Sequence, residues 1–500
     1  MRAPSLVGPG LALVLLANAG CWSREATWEA LDAHRSSVAR PGESEAERLY
    51  RLGVDCQDTI ERDDCAIDYF EQLVALKPDR RDLVGDATFR LVELYRRHDQ
   101  PEQATLLLRG FWDLGMDYGS AGVVPYGTRF VPDTITSLVM IDVARFEASR
   151  LHNSLPDDAK DMMFTCDEAR REQLDAEVEA RREAKRAARL AAMTPEEREA
   201  YERRNDKLGR RFGRGGSDDS ELSEAEKQKR EQERERKREE EKTVFSELCS
   251  IAAALGLTDY RDFALFMGAS DHDDSSQSVA IVRVPELEAT LAASVEAGRL
   301  VLEPEAPIEG RDLDSMPSVM RDKLRVWTVV GLEFRGEPIQ LLSFDKNELM
   351  VAPAALVPDL RHARAHDQTR LAADLRGLIE QVPADVAFAT VISPSATKEF
   401  MGEMGAMAKL LPNPDGLLIA AVVYDYAGLF VRVPTEDSVK AWVILSLARK
   451  LLDGEAADEA ADGEASFMAN MDISQSPDGK ALMMTNILTR AAVTEAFLGY

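Results

Sequence analysis

Residues 324–352 read LRVWTVVGLEFRGEPIQLLSFDKNELMVA. Leu324 to Phe334 and Ile339 to Phe344 are rich in β-branched and aromatic residues, and Arg335-Gly336-Glu337-Pro338 between them is turn chemistry. That pattern predicts a β-hairpin, with Leu349 to Ala352 as a further strand. Upstream, Val279 to Val284 reads as a strand and Pro285 to Val295 as a helix. Downstream, helices cover about 354–381, and the order then recurs. Val386 to Ile392 is a strand, 395–411 a helix, and Leu417 to Tyr424 with Leu429 to Val433 a hairpin around Ala427-Gly428. Residues 435–452 form a helix. Strands Phe467 to Ile473 and Ala481 to Thr485 turn at Pro477-Asp478-Gly479, and a last helix covers 489–498. Ser278-Val279-Ala280-Ile281 parallels Asp385-Val386-Ala387-Phe388, and Leu349-Met350-Val351 parallels Leu482-Met483-Met484. The reading is a duplicated α+β body, units 251–383 and 384–500, of mainly antiparallel sheet with helices on one face.

The chain has 500 residues, which is too many for one core, so a multidomain α and α+β protein is expected. It carries 61 Lys+Arg against 89 Asp+Glu, a net charge of −28. A surface that acidic repels phosphate backbones, which excludes nucleic acid as the main partner.

Residues 1–20 have the plan of a signal peptide: Arg2, the apolar run Leu11 to Leu16, and small residues Ala19-Gly20 before Cys21. That ending resembles the lipobox of bacterial lipoproteins, with Asn18 where the family usually has Leu. The resemblance implies lipid on Cys21, followed by a polar linker over 21–43. It implies an address in the cell envelope, anchored to a bacterial membrane and to the outer in preference to the inner, with the rest in the periplasm or at the cell surface.

Residues 44–165 are expected to be helical. Apolar residues recur at spacings of three and four, as in Ile67, Phe70, Leu73, Val74 and again in Leu91, Val92, Leu94, Tyr95. Ala66, Phe70 and Pro78 stand at the spacing of the small, aromatic and closing proline positions of tetratricopeptide repeats, with Leu52-Gly53 one residue off register. Leu91, Tyr95, Ala104 and Leu108 repeat the pattern, and Met116 replaces the closing proline. The resemblance covers 44–116 and implies a protein-binding helical repeat. A generic helical bundle fits the same residues. A third helix pair is expected from 132–164. The intervening segment 110–131 holds Phe111, Trp112, Tyr118, Tyr126 and Phe130 among glycines, and reads either as a functional loop or as aromatics plugging an edge.

Residues 166–250 differ in composition. Between 167 and 245 there are 22 Lys+Arg and 23 Asp+Glu, a net of −1 in a chain of −28. Thr194-Pro195-Glu196-Glu197 is a helix start, and Ser223-Glu224-Ala225-Glu226 a second. With Glu-to-basic pairs at i, i+4 and no apolar seam, this reads as a hairpin-like arm of charged helix.

An exported chain permits disulfides. Removing Cys21 leaves Cys56, Cys65, Cys166 and Cys249, for which three connectivities exist. Cys56 and Cys65 would meet across the tip of a helical hairpin, and Cys166 and Cys249 at the base of the arm.

There is no GxxxxGK[ST], GxSxG or HExxH. His362 and His366 are one helical turn apart, which is metal-ligand spacing, but reads as a surface pair. Asp271, Asp273 and Asp274 around His272 offer oxygens in a short loop that lacks the spaced calcium pattern. No cofactor, metal or catalytic residue is assigned. The C-terminal half resembles α+β domains of exported bacterial proteins in pattern alone, which implies no activity. The expected role is a non-catalytic scaffold that contacts envelope proteins through the helical region. The competing role is an envelope protein holding an apolar ligand in the α+β body.

Overall fold

The computed structural model describes residues 40–76, 79–117, 124–158, 165–194, 249–257, 265–270, 278–310, 324–334, 336–345, 347–397, 414–446 and 471–490, with a few single positions besides. The chain divides into two compact units, Met1–Ala104 and Thr105–Tyr500.

The first unit is helical. Ser44 caps α1 (Glu45–Val54) through a reciprocal bond with Glu47, which satisfies two backbone donors at once. α1 runs into a π-helical turn, Asp55–Thr59, and α2 (Asp63–Leu76) and α3 (Arg81–Arg97) follow. α4 (Pro101–Asp117) starts on a proline, which costs nothing at a first helical position, and continues past the division of the units. A side chain at Gly53 would run into the Phe70 ring, so the absent Cβ is what lets α2 close on α1. Ala66, Phe70 and Leu73 are fully buried there. Cys56 and Cys65 are bonded, with Cα atoms 5.9 Å apart. α3 is buried continuously from Gly85 to Val92. Two charges travel in with it, and they are matched: Arg90 pairs with Asp86 at 3.5 Å, and Asp86 accepts the Tyr50 hydroxyl.

The second unit is built on one sheet. Its strands are β1 (Ser137–Ile141), β2 (Leu265–Ser270), β3 (Val279–Arg283), β4 (Leu300–Leu302), β5 (Val326–Phe334), β6 (Glu337–Ser343), β7 (Glu348–Pro353), β8 (Val386–Ile392), β9 (Leu417–Val423), β10 (Ala427–Pro434), β11 (Asp472–Gln475) and β12 (Ala481–Leu488). The twelve stand in the order β11-β12-β10-β9-β8-β1-β2-β3-β7-β6-β5-β4, every neighbouring pair antiparallel. Helices in this unit are α5 (Val143–Ala148), α6 (Arg150–Ser154), α7 (Glu168–Ala192), α8 (Leu287–Glu296), α9 (Val357–Ala365) and α10 (Ala373–Ile379). Short helical runs also occur at 249–254 and 438–446.

Both faces of the sheet are covered in part. On one face Leu138, Met140, Ala389, Val391, Leu418 and Ala420 are buried. Trp112 of α4 stacks on Phe430 of that face at 5.0 Å, and Arg109 forms a two-pronged ion pair with Asp472. On the other face Leu287 and Leu291 of α8 join Ile251 and Leu255 over Val282, Trp327, Leu341 and Leu349. Ile444 and Leu445 pack on Ile473 and Leu482 at the opposite end. Gly416 enters β9 at φ +119°, and a side chain there would strike the Ile392 carbonyl and Leu378. The edge strands are the shortest of the sheet, three residues in β4 and four in β11.

Four expectations are corrected. The segment 132–164 is not a third repeat-like hairpin among the described residues: Ser137–Ile141 is a strand between β2 and β8 near the middle of the sheet, and only the short α5 and α6 follow it. A short apolar run flanked by turns fits strand or helix equally, and here two partner strands decide it. The stretches 44–165, 251–383 and 384–500 are not separate bodies, since one sheet takes strands from each of them. The two halves of the body also differ in topology. β7 lies beside β3, whereas its proposed counterpart β12 is separated from β8 by β9 and β10. The matched apolar quartets reflect what any buried strand needs rather than one repeated layout. Helices on both faces replace the single helical face expected.

Candidate functional site at the root of the charged arm

α7 carries the first limb of the arm, from Glu168 to Ala192, with Asp167 accepting the Arg170 backbone N–H as cap. Its first turns are rooted. Leu174 and Val178, one turn apart, are buried, and Val178 joins Leu151, Leu155, Ala387, Val423 and Ala427. Asp158 adds charge at the same place, pairing with Arg170 at 3.7 Å and Arg181 at 3.3 Å. Cys166, just before the helix, is bonded to Cys249, with Cα atoms 5.3 Å apart. The bond closes a separation of 83 residues into one point. Beyond Val178 the character changes. Glu179, Ala180, Glu183, Ala184, Ala187, Ala188, Ala191 and Ala192 are all exposed. The expected second limb, 224–248, lies outside the described residues, as do the signal peptide, Cys21, the linker to 39 and Asp271 to Asp274.

His362 and His366 do come together, with ring centroids 4.2 Å apart. The His366 Nδ1–H is spent on the His362 carbonyl at 2.9 Å. Among the described residues no group of three or more His, Cys, Asp or Glu is placed to hold a metal ion. No helix among them is long and apolar enough to cross a membrane.

The aromatic segment 110–131 resolves into two anchors, Phe111 and Trp112 on α4 and a 3-10 turn at Tyr126–Phe130; Tyr118 lies outside the described residues. The turn is pinned. Gly127 N–H donates to Glu348 Oε2 at 3.0 Å, and Arg283 donates to the other oxygen at 2.8 Å. Arg364 Cζ lies 5.0 Å from the Tyr126 ring and 5.5 Å from the Phe130 ring, and Arg129 lies 5.3 Å from both. Arg364 also donates to the Tyr126 oxygen, which donates onward to Asp367. These two arginines on two π faces close the edge of the core. The neighbouring Arg361 donates to the Leu324 and Ala306 carbonyls, and burial holds its pKa below the usual arginine value. Sequence reading missed Arg361 and Arg364. Their only signal is their place on an otherwise apolar helix face. The arrangement contains no nucleophile paired with a base; it is a seal.

No family model matches the chain, and no curated protein or solved structure matches it either.

Proposed function

We propose that the chain is a non-catalytic protein of the cell envelope, held to a bacterial membrane by lipid at Cys21, that acts as a scaffold for other envelope proteins. One observation carries this reading: a charged helix is anchored at its root by Leu174, Val178 and the Cys166–Cys249 bond, and Glu183, Ala184, Ala187, Ala188, Ala191 and Ala192 beyond are exposed. Such a helix gains little from its own fold, so its length is better explained by contact with a partner. Two disulfides agree with an extracytoplasmic address.

The helical unit offers a second contact surface in the manner of a tetratricopeptide repeat. α3 is buried, so the available stripe is the outer side of α2, at Asp68, Glu71, Gln72, Ala75 and Leu76. A photo-crosslinking residue at Ala184 or Ala188 should give a discrete adduct in envelope extracts, while one at Asp359 of α9 should not. Equal labelling at both positions, or none at either, overturns the reading. Mass spectrometry of the N-terminal peptide tests the anchor, and an unmodified Cys21 rejects it.

The apolar-ligand reading retains one supporting observation. Val139, Ile141, Phe388, Ile392 and Ile419 share the second face of the central strands and are only half-buried. A fluorescent fatty acid displaced by unlabelled acyl chains at micromolar concentration would favour it over the scaffold.

A further inference from the structure

The two disulfides stand in opposite surroundings. Cys56 is 0% exposed and Cys65 4%, inside the packed α1–α2 hairpin. Cys166 and Cys249 are both half-exposed. Thiol–disulfide exchange needs a thiolate to reach a sulfur, so access selects the bond that is attacked in the folded chain. The arm bond meets that condition as it stands. The hairpin bond meets it only after α1 and α2 part.

The strand register shows what the arm bond ties together. Leu349 of β7 and Val282 of β3 stand in one cross-strand row, which continues through β2 to Ile141 of β1, Phe388 of β8, Ala421 of β9 and Leu429 of β10. Cross-strand neighbours share a face. Val423 and Ala427 face each other two residues along from Ala421 and Leu429, so they share it too. Ile251 and Leu255 cover this face at Val282 and Leu349, and Val178 covers it at Val423 and Ala427. β1 and β2 run between the two covers. The Cys166–Cys249 bond joins the start of α7 to the start of the run at 249–254, and so fastens one cover to the other. Each cover keeps its own apolar contacts without the bond.

The two sulfurs are not equivalent. Cys166 stands just before the cap of a helix of 25 residues, and the Arg171 guanidinium donates to the neighbouring Thr165 carbonyl at 3.1 Å. A helix N-terminus and a nearby guanidinium both favour a thiolate. The carboxylates close by are already matched: Asp167 accepts the Arg170 backbone N–H, and Asp158 pairs with Arg170 and Arg181. Cys166 is therefore the better leaving sulfur.

We infer that the Cys166–Cys249 bond is a thiol-exchange site opened by a dithiol, and that the Cys56–Cys65 bond is closed to the same reagent. A thiolate of the dithiol attacks Cys249 Sγ, the Cys166–Cys249 bond breaks, and Cys166 leaves as thiolate. The second thiol of the reagent attacks the mixed disulfide, the reagent closes its own S–S bond, and Cys249 leaves. Two electrons pass from the dithiol to the cysteines, and its two protons end on Cys166 and Cys249. The loop over a separation of 83 residues is then open, while both covers stay planted on the sheet.

The test treats the folded, oxidised full chain with dilute dithiothreitol, quenches with iodoacetamide at intervals and maps the peptides. Cys166 and Cys249 should be alkylated about 10-fold faster than Cys56 and Cys65, with the far-UV circular dichroism unchanged. Equal rates, faster labelling of the hairpin pair, or an arm pair that stays unlabelled overturns the inference. So does loss of the circular dichroism signal alongside the first labelling, because exchange would then require unfolding. A short pulse of glutathione, a monothiol, should leave its adduct on Cys249 and a free thiol on Cys166. An adduct on Cys166 overturns the assignment of the leaving sulfur.

Discussion

The α1–α2 hairpin and the root of α7 are each closed by a disulfide, yet the bonds do opposite work. In the hairpin Cys56 and Cys65 are themselves buried, and the bond spans nine residues between helices already locked by Phe70 against Gly53. At the arm the bonded cysteines are half-exposed, and Leu174, Val178 and the Asp158 ion pairs plant the described limb. The first bond reinforces packing. The second substitutes for packing, since the chain it closes has little apolar surface to hold it.

If this contrast is right, losing the arm bond should have the largest effect. In the chain-entropy account a loop of this length is worth about 4–5 kcal/mol, so Cys166→Ser with Cys249→Ser should lower calorimetric stability by roughly that amount. An effect below that of the hairpin pair would show the limbs are held by something else. Leu174→Ala should come next, costing about 2–4 kcal/mol in chemical denaturation, whereas Ala187→Gly should cost no more than about 1 kcal/mol. Similar costs at both sites would erase the line drawn after Val178. Cys56→Ser with Cys65→Ser should cost about 2–3 kcal/mol, and less if packing alone fixes the hairpin.

A smaller effect is expected just before α1. A two-pronged bond from Arg51 pulls the Glu43 carboxyl from 4.5 to about 2. A depressed carboxyl stabilises the fold above its ordinary value and stops doing so as pH falls through about 2. Glu43→Gln should therefore cost about 0.5–1 kcal/mol at pH 7, a difference that fades between pH 4.5 and 2 in a pH series of urea melts. The smallest effect belongs to the arm itself. Replacing 182–245 by a short Gly-Ser linker, with both cysteines kept, should leave the melting of each unit nearly unchanged. A cut made earlier, at 170, would remove Leu174 and Val178 and should not be silent.

How much of this was legible depended on the residues. Val386 to Ile392 reads as a strand and is one, because a short apolar run buried on one face and half-buried on the other has few alternatives. Both cysteine pairs are bonded as the spacing suggested, Cys56 with Cys65 across the tip of the α1–α2 hairpin and Cys166 with Cys249. Ser137–Ile141 was misplaced because five residues between helical segments carry no period of their own, and their partners lie 130 and 250 residues away in the chain. β2 and β4 were missed for the same reason: Gly268 and Ser270 weaken the first, and three residues are too few to show alternation in the second. The root of the arm was hidden in composition. Leu174 and Val178 among charges look incidental until the sheet supplies Ala387 and Val423 to meet Val178. The buried arginines were hidden because no residue type announces that carbonyls and rings, rather than carboxylates, will surround it.

The two rims of the sheet carry a consequence for life at high density. A long bare rim would accept the rim of a neighbouring copy and begin a fibre. Among the described residues one edge strand is Leu300–Leu302, followed by Glu303-Pro304-Glu305, where proline has no hydrogen to give and two carboxylates repel their like. The other offers Asp472–Gln475, beginning with a charge held by Arg109 and ending just before Pro477. At these two strands, then, a neighbouring copy finds a short stretch of backbone and a charge or a proline beside it.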